Sequence, residues 1–347
     1  MDTIGLDLHK RESQLCIIAE DGSIKELRIV TSRERFTAVL GNGIPARILL
    51  EASTESEWVA QHLESLGHEV IVADPNYAMM YASRAHRVKT DRRDARALAE
   101  ALRLGVFRVV HRVSAERRHV RAELAVREAL VRTRTRYVSL AKSLVRRDGL
   151  RVAGSQSHLV AKRIAALDLS DALASELMPL FQVLAPINEQ SDAADRRIGS
   201  LVASDPDVAL LTTVPAIGPV TAAAIVATAD DITRFNSAHQ FEAFLGLVPG
   251  ERSSGEKRRV GHITKRGNSR VRYLMVEAAW RILRSKGEET AALRSWALLI
   301  AARRGKRIAV VALARRLAGI VYAMWRDGSP YHGTKVRRPR PLLSKAG

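Results

Sequence analysis

Two aspartates stand three residues apart in the segment VKTDRRDARALAE, which spans residues 88–100. On a helix, side chains three positions apart share one face, so Asp91 and Asp94 would lie close together and repel each other modestly. That repulsion needs a compensating positive charge. The adjacent Arg92 and Arg93 could supply it, as on many solvated helix faces. Alternatively, a divalent cation could supply it, together with carboxylates from elsewhere in the chain.

Two further acids stand in segments with the pattern of strands. Asp7 lies in the first of these, within GLDLHK, and Glu51 ends the fourth, within RILLEAS. A carboxylate at the tip of an apolar strand is costly unless it is exposed or binds a partner. If strands one and four are neighbours, Asp7 and Glu51 lie side by side, and a helix packed across that edge brings Asp91 and Asp94 to the same place. Four carboxylates could hold two Mg²⁺ ions about 4 Å apart, an arrangement suited to phosphodiester cleavage.

Each acid taken alone has a simpler interpretation. A single one of them is more often a helix cap or a surface residue, and Asp91 after Thr90 could simply begin a helix. The metal hypothesis therefore depends on the whole set within its strand and helix order. Sugar kinases and actin-like ATPases also begin with an aspartate in the first strand, but they need a glycine-rich phosphate loop after it. Here His9, Lys10 and Arg11 follow, which argues against that class.

The spacing of apolar residues predicts an α/β first domain followed by helices. The first 110 residues predict the order β-β-β-α-β-α-β-α, with helices at 76–85 and 91–104 after the fifth strand. Residues 114–147 contain no proline or glycine and predict one long basic helix, which we expect to pack as a coiled-coil arm with a second helical region at 171–202. That second region is expected to be interrupted near Pro179 and Pro186. Further helices are predicted on both sides of a tight turn at 216–218, and at 236–245, 270–285, 290–303 and 307–325.

Charge is distributed unevenly along the 347 residues. The chain has a net charge of +19, of which +18 falls in residues 251–347, while residues 1–110 are close to neutral. A neutral domain followed by basic parts is typical of a protein that does chemistry on a nucleic acid held by other segments. The single cysteine, Cys16, excludes an intramolecular disulfide framework and a multi-cysteine zinc site. No run of 18 apolar residues and no signal-peptide pattern occurs, so we expect a soluble cytoplasmic protein, associated with the nucleoid and with no membrane partner.

Three segments carry a resemblance to a known family. GLDLHK, LLEASTESEWVAQHLESLGHEVIVADP and RVKTDRRDARALAEALRLG resemble the first domain of the DEDD insertion-sequence transposases, which include Piv-type DNA invertases and bridge-RNA-guided recombinases. The resemblance implies a ribonuclease H-like fold, similar to that of Holliday-junction resolvases. It places the four catalytic, metal-binding acids of the family on Asp7, Glu51, Asp91 and Asp94.

A serine in the last third of the chain joins the candidate site. FLGLVPGERSSGEKRRVGHITKRGNSRVR resembles the serine loop of the same family, which places the nucleophile on Ser254, with the adjacent Ser253 less favoured. Considered without the family, SSG is an ordinary turn. The resemblance implies attack on a DNA phosphodiester, a phosphoserine intermediate, and a composite site in which one subunit supplies the acids and another the serine. The basic residues that could bind the scissile phosphate are Arg252, Lys257, Arg258, Arg259, Lys265 and Arg266.

The segment VPAIGPVT resembles a helix-hairpin-helix, whose turn offers backbone N–H groups to phosphates. That motif would make Gly218 a nucleic-acid-binding residue. The usual first glycine is replaced here by Ala216, so a plain helix turn stays open as an alternative. Histidines 9, 86 and 262 have no zinc spacing with one another, and none is assigned to a metal.

These observations predict four parts: a ribonuclease H-like DEDD domain at 1–110, a coiled-coil arm at 111–205, a mainly α C-terminal transposase domain at 206–330 and a basic tail at 331–347. The predicted activity is cutting and rejoining of donor and target DNA by a homo-oligomer, dimer or tetramer, with Mg²⁺ or Mn²⁺. The resemblance also implies guidance by a noncoding bridge RNA. Two alternatives stay open: a structure-specific endonuclease that uses water in place of Ser254, and an inactive nucleic-acid-binding remnant.

Overall fold

The computed structural model of the protein describes residues 1–77, 80, 90–154, 157–251 and 260–333. The chain divides into two compact units, Met1–Val113 and Ser114–Gly347. The first unit contains a mixed β-sheet covered by helices. The second is mostly helical.

The first unit is built on a five-stranded sheet with the order β3-β2-β1-β4-β5. β1, β2 and β3 form an antiparallel meander, and β4 and β5 join β1 in parallel. This mixed sheet is consistent with a ribonuclease H-like domain, and it makes the first and fourth strands neighbours. The strands are β1 Thr3–Leu8, β2 Glu12–Ile18, β3 Ile24–Val30, β4 Arg47–Glu51 and β5 Glu69–Ala73.

Helices cover both faces of this sheet. α1 (Arg33–Leu40) and α2 (Ser56–Ser65) share one core with the even-numbered residues of β1 and β4, such as Leu6 and Leu50. α3 (Asp91–Leu104) lies on the opposite face, where Leu49 of β4 is buried with residues of the helix. The predicted order of strands and helices is confirmed for these elements. Most of the helix predicted at 76–85 lies outside the described residues.

Two long helices form the arm at the start of the second unit. They are α4 (Ala115–Arg147) and α6 (Asp171–Leu201), with the short α5 (Val160–Ala165) between them in the chain. The end of α4 shares a core with the start of α6, and the start of α4 shares one with the end of α6, so the two helices run antiparallel.

The predicted interruption of the second long helix is wrong. α6 runs through both Pro179 and Pro186 as one continuous helix of 31 residues. A proline removes one hydrogen bond to the carbonyl four residues earlier, yet the helix persists when packing stabilises it. Here Leu177 and Leu184 are fully or almost fully buried against α4, one on each side of Pro179, so tertiary contact outweighs the local defect.

The remaining elements surround a second hydrophobic core. α8 lies at its centre, since all its residues from Thr221 to Ala229 are buried. Among the described residues, α12 has the length and apolarity of a membrane-spanning helix, but 56% of that stretch is buried, as in the core helix of a globular unit. The elements are α7 Pro206–Thr212, α8 Pro219–Ala229, α9 Ala238–Phe244, β6 Pro249–Glu251, β7 Val260–Ile263, α10 Ser269–Arg284, α11 Ala291–Arg304 and α12 Lys306–Asp327.

Candidate active site

Asp7 and Glu51 stand beside each other at one edge of the first unit. The parallel pairing of β1 with β4 places Leu6 opposite Leu50, and the two acids are the next residues on their strands. Side chains alternate between the faces of a strand, so Asp7 shares a face with Gly5, and Glu51 shares one with Leu49. That common face is the one covered by α3, because Leu49 is buried with residues of that helix.

Gly5 explains how α3 comes so close to the sheet. A Cβ atom at this position would overlap the carbonyl oxygen of Ala95 and the amide nitrogen of Ala99. Only glycine therefore allows the backbone of the helix to rest directly on β1. Asp91 lies one turn before Ala95 on the same helix face, and Asp7 lies two residues after Gly5 on the same strand face. The close contact thus brings Asp91 of the helix to Asp7 of the strand, and their ligand atoms lie within 4.8 Å of each other.

The first turn of α3 carries the other two acids. Thr90 caps the helix, its hydroxyl accepting a hydrogen bond from the Arg93 amide at 3.4 Å. Carboxylates at a helix N-terminus are stabilised by the helix dipole, which partly offsets the repulsion between Asp91 and Asp94. Asp94 is buried, at 6% exposure, and Asp91 is exposed.

Two of the arginines near these aspartates are paired with other acids. Arg92 forms an ion pair with Glu26 of β3, and Arg96 pairs with Glu100 one helical turn away at 3.1 Å. Arg92 and Arg96 thus have other acids as partners, while Arg93 stays open as an arginine that offsets the charge of Asp91 and Asp94. A divalent cation bound at the acids stays open as well.

A histidine that the sequence analysis left without a role completes the cluster. His9 Nε2 lies 3.4 Å from Asp7 Oδ2 and 3.6 Å from Asp91 Oδ1. The three residues each offer one ligand atom within 4.8 Å of the others, which is a spacing that can hold a metal ion. A signal for it was present in the sequence: in GLDLHK the histidine follows the aspartate by two positions, so strand alternation continued past Leu8 places both on one face.

The loop that carries His9 is tied to the end of β3. The Thr31 hydroxyl donates to the His9 carbonyl oxygen at 2.8 Å, and the Thr31 amide donates to the Arg11 carbonyl oxygen at 2.9 Å. The buried Ser13 hydroxyl lies 2.7 Å from the Thr31 hydroxyl oxygen. These hydrogen bonds fix the backbone on both sides of Lys10.

The predicted serine segment is flanked by a two-stranded antiparallel sheet. β6 and β7 pair from Pro249 with Ile263 to Glu251 with Val260. Residues 252–259 connect these strands and lie outside the described residues. The predicted site residues in that stretch are Arg252, Ser253, Ser254, Lys257, Arg258 and Arg259.

The chain that follows the serine segment is held by a tight backbone contact. Gly267 has φ +89°, and a Cβ there would overlap the Phe244 carbonyl oxygen, while Gly246 meets the Arg266 carbonyl oxygen in the same way. Arg272 also donates to the Leu245 carbonyl oxygen at 3.2 Å. The predicted phosphate-binding residues Lys265 and Arg266 are both exposed on this fixed stretch.

In the segment that resembles a helix-hairpin-helix, the turn has a left-handed residue at the position where the motif usually has its first glycine. Ala216 has φ +68°, the left-handed conformation for which the usual glycine is suited, and Gly218 is the N-cap of α8. A groove of about 580 Å³ lies beside this turn and is also lined by Arg281 of α10. A basic side chain thus stands near a helix N-terminus that could meet a phosphate.

The mixed sheet, with acids on the first strand, the fourth strand and a covering helix, is consistent with a ribonuclease H-like domain of the DEDD class. Residues 4–147 match a family model described as a DEDD transposase of the IS110 type. Residues 208–294 match a second model, described as the transposase IS116/IS110/IS902 family. The chain belongs to the IS110/IS116/IS902 family of DEDD transposases, and as a DNA transposase it is an enzyme that acts on DNA.

Several curated proteins are similar over almost the whole chain. A probable family 20 transposase of Pseudomonas aeruginosa is 29% identical over 93% of this chain and 96% of its own length. The transposase for insertion sequence element IS1111A of Coxiella burnetii is 27% identical over 92% of this chain and 88% of its own length. The transposase for IS1328 of Yersinia enterocolitica is 26% identical over 94% and 98% respectively.

Proposed function

We propose that this transposase cuts and rejoins DNA through a phosphoserine intermediate at Ser254, with Mg²⁺ or Mn²⁺ held by Asp7, Glu51, Asp91 and Asp94. The observation that supports the metal centre is the spacing of Asp7, His9 and Asp91, whose ligand atoms all lie within 4.8 Å of one another, with Glu51 next to Asp7 on the neighbouring strand. The similarity of the serine segment to the family's serine loop supports the role of Ser254.

The donor set fits a hard divalent cation. Four carboxylates supply oxygen ligands, which Mg²⁺ and Mn²⁺ prefer. When bound, such an ion would neutralise charge on a scissile phosphate and help to activate an attacking oxygen. Asp94 and Asp7 are both buried, at 6% and 9% exposure, and a charged carboxylate in such surroundings is stabilised by a nearby cation.

The proposed chemistry conserves the energy of the phosphodiester. The Ser254 oxygen attacks the phosphorus, a Ser–O–P bond forms, and the bond from phosphorus to one deoxyribose oxygen breaks. The serine proton goes to solvent or a base, and the departing sugar oxygen takes up a proton. In the reverse sense, a sugar hydroxyl of a second strand attacks the phosphoserine, which joins the strands and frees the serine.

We further propose that a noncoding RNA encoded beside the gene selects donor and target sequences by base pairing, while the protein acts at the nucleoid in the cytoplasm. Two features support this: the similarity to a family that includes bridge-RNA-guided recombinases, and the net charge of +18 in residues 251–347, which suits any polyanion. Base pairing would leave the protein to bind RNA shape and DNA backbone.

Trapping a covalent adduct tests the serine. Purified protein, RNA from the element's flank and end-labelled donor DNA are mixed with Mg²⁺, denatured and separated on a gel. We expect a labelled protein–DNA band that persists in Ser253→Ala and disappears in Ser254→Ala and in Asp91→Asn. Omitting the RNA should abolish the band if guidance is required. An adduct that survives in Ser254→Ala would remove this serine from the mechanism.

A metal-dependent endonuclease is the second candidate. All four acids lie within the unit Met1–Val113, so hydrolysis by water needs nothing from Ser254. Under this alternative, Ser254→Ala still cuts branched DNA, without an adduct, and Asp91→Asn does not. The same gel separates the two functions.

Mixing two inactive variants tests the assembly. If the acids of one subunit act with the serine of another, a mixed oligomer of Asp91→Asn and Ser254→Ala contains one complete site. We then expect the mixture to recover about a quarter of the wild-type adduct, because about half of randomly formed dimers are mixed and each mixed dimer has one complete site out of two. Adduct formation that stays at background in verified mixed oligomers would place acids and serine in the same subunit.

A further inference from the structure

His9 stands at a distance from two acids that a direct hydrogen bond does not explain. Its Nε2 atom lies 3.4 Å from Asp7 Oδ2 and 3.6 Å from Asp91 Oδ1. N–H···O hydrogen bonds to carboxylates are typically about 2.7–3.2 Å long. The imidazole is therefore close to both oxygens, at ion-pair separations that are longer than a typical hydrogen bond.

These separations are slightly longer than the spacing of adjacent ligand atoms around one ion. Ligands about 2.1–2.2 Å from an octahedral cation are about 3.0 Å apart when adjacent and about 4.3 Å apart when opposite. Both measured separations fall between these limits, and all three candidate ligand atoms lie within 4.8 Å of one another. A small contraction of the cluster is enough to complete three ligand bonds.

The backbone of His9 is fixed although its side chain is half exposed. Its carbonyl oxygen accepts from the Thr31 hydroxyl at 2.8 Å, and the loop is tied again at Arg11. Because the backbone of His9 is already held, binding an ion has to order only its side chain.

We infer that His9 is a nitrogen ligand of the metal ion held by Asp7 and Asp91, an inference that rests on the proposed metal centre. It changes the expected ion preference of the site. Imidazole binds transition metals better than it binds Mg²⁺, for which oxygen ligands are preferred. One nitrogen among the oxygens therefore makes the site favour Mn²⁺ over Mg²⁺ more strongly than four carboxylates alone would.

Electron paramagnetic resonance of the full-length protein with Mn²⁺ gives a readout that does not depend on activity. We expect pulsed spectra of the wild type to show coupling to a directly bound imidazole nitrogen, and His9→Ala to lose it while keeping bound Mn²⁺ with about tenfold weaker affinity. Mg²⁺ affinity, measured by competition, should fall by less than about threefold. His119→Ala, which removes an exposed histidine of α4, is the matched control and should keep the coupling and the affinity. Circular dichroism checks that His9→Ala keeps its fold.

The outcomes separate this inference from the function it rests on. Bound Mn²⁺ without imidazole coupling in the wild type, or coupling that persists in His9→Ala, overturns the ligand role and leaves a carboxylate centre. Equal and negligible Mn²⁺ binding by the wild type and by Asp91→Asn, with and without donor DNA, overturns the metal centre itself and the ligand role with it.

Discussion

Gly5 is the residue on which the geometry of the candidate site depends most directly. Its missing side chain lets the backbone of α3 rest on β1, and a methyl group there would overlap backbone atoms of Ala95 and Ala99. Backbone atoms cannot move aside as a flexible side chain can. We therefore expect Gly5→Ala to lower the free energy of unfolding by about 3 kcal/mol, and to weaken Mn²⁺ binding because α3 carries Asp91.

Gly43→Ala is the control for that substitution. Gly43 is exposed, and a methyl group there would make only an ordinary contact, with the Leu40 carbonyl oxygen at 3.5 Å. The free energy of unfolding of the Gly43→Ala variant, measured by urea denaturation, should stay within about 0.5 kcal/mol of the wild-type value. Equal effects of the two substitutions would show that the helix does not need the close approach at Gly5.

Cys16 lies on β2, opposite Gly5, and is buried at the same contact between α3 and the sheet. It is fully buried beside Ala95 and Ala99, and burial raises the pKa of its thiol to about 11. The thiolate is the reactive form, so a raised pKa leaves about a hundredfold less of it at pH 8 than in the unfolded chain. We expect Ellman's reagent to label the native protein at least about a hundred times more slowly than the protein in urea, throughout pH 7–9. Because Cys16 is the only cysteine, the signal is unambiguous. Rapid labelling of the native protein would contradict the close packing of α3.

The sequence made the four acids recognisable as a set within the predicted order of strands and helices, since each alone could be a helix cap or a surface residue. Asp7 and Glu51 interrupt apolar strands, and Asp91 and Asp94 follow a threonine cap. The signal for His9 is weaker: the histidine lies two positions after Asp7, but a histidine after a strand is common, and its value depends on which helix covers the strand. That information comes from the contact between Gly5 and α3, which is non-local in the chain.

At the scale of elements, the turn before α8 is locally strained, because it has an alanine at a position where the resembled motif usually has glycine. Ala216 has φ +68°, a conformation that costs a residue with a Cβ atom about 1–2 kcal/mol. Glycine avoids this cost, but its greater conformational freedom in the unfolded chain offsets part of the gain in stability. We expect Ala216→Gly to raise the free energy of unfolding by about 0.5–1 kcal/mol. Thermal and urea denaturation would measure it.

A matched alanine in a regular helix should respond in the opposite direction. Ala125 is exposed in the middle of α4, where glycine is less favourable than alanine by about 1 kcal/mol. Ala125→Gly should therefore destabilise the protein by about that amount. Destabilisation by Ala216→Gly as well would mean that the turn does not hold its left-handed conformation in solution.

The positions of the helices were easier to predict from the sequence than whether each helix runs without a break. Long segments with apolar residues at helical spacing indicated α4 and α6, and the structure caps these helices at Ser114 and Ser170. The prolines of α6 indicated a break, because a local rule counts the lost hydrogen bond and cannot count the burial of Leu177 and Leu184 against α4. The short β6–β7 pair was missed for a similar reason: three- and four-residue strands carry too little alternation to be seen.

At the scale of the whole molecule, the net charge of +19 predicts binding to DNA that weakens steeply with salt. Each phosphate neutralised by a cation releases counterions, so the slope of log K against log salt is about −0.9 per contact. Lys265 and Arg266 are exposed next to the serine segment and are proposed to contact phosphates. The double variant Lys265→Gln/Arg266→Gln should therefore make the slope less negative by about 1.8.

Arg33→Gln/Arg35→Gln provides a control of equal charge, since both arginines are exposed on α1 in the nearly neutral first unit. Fluorescence anisotropy with a labelled duplex between 50 and 300 mM NaCl, all variants at one pH, would give the slopes. If net charge alone governed binding, both double variants would change affinity and slope equally, because each removes two positive charges. A change confined to Lys265→Gln/Arg266→Gln would instead place DNA beside the serine segment, where the proposed cleavage requires it.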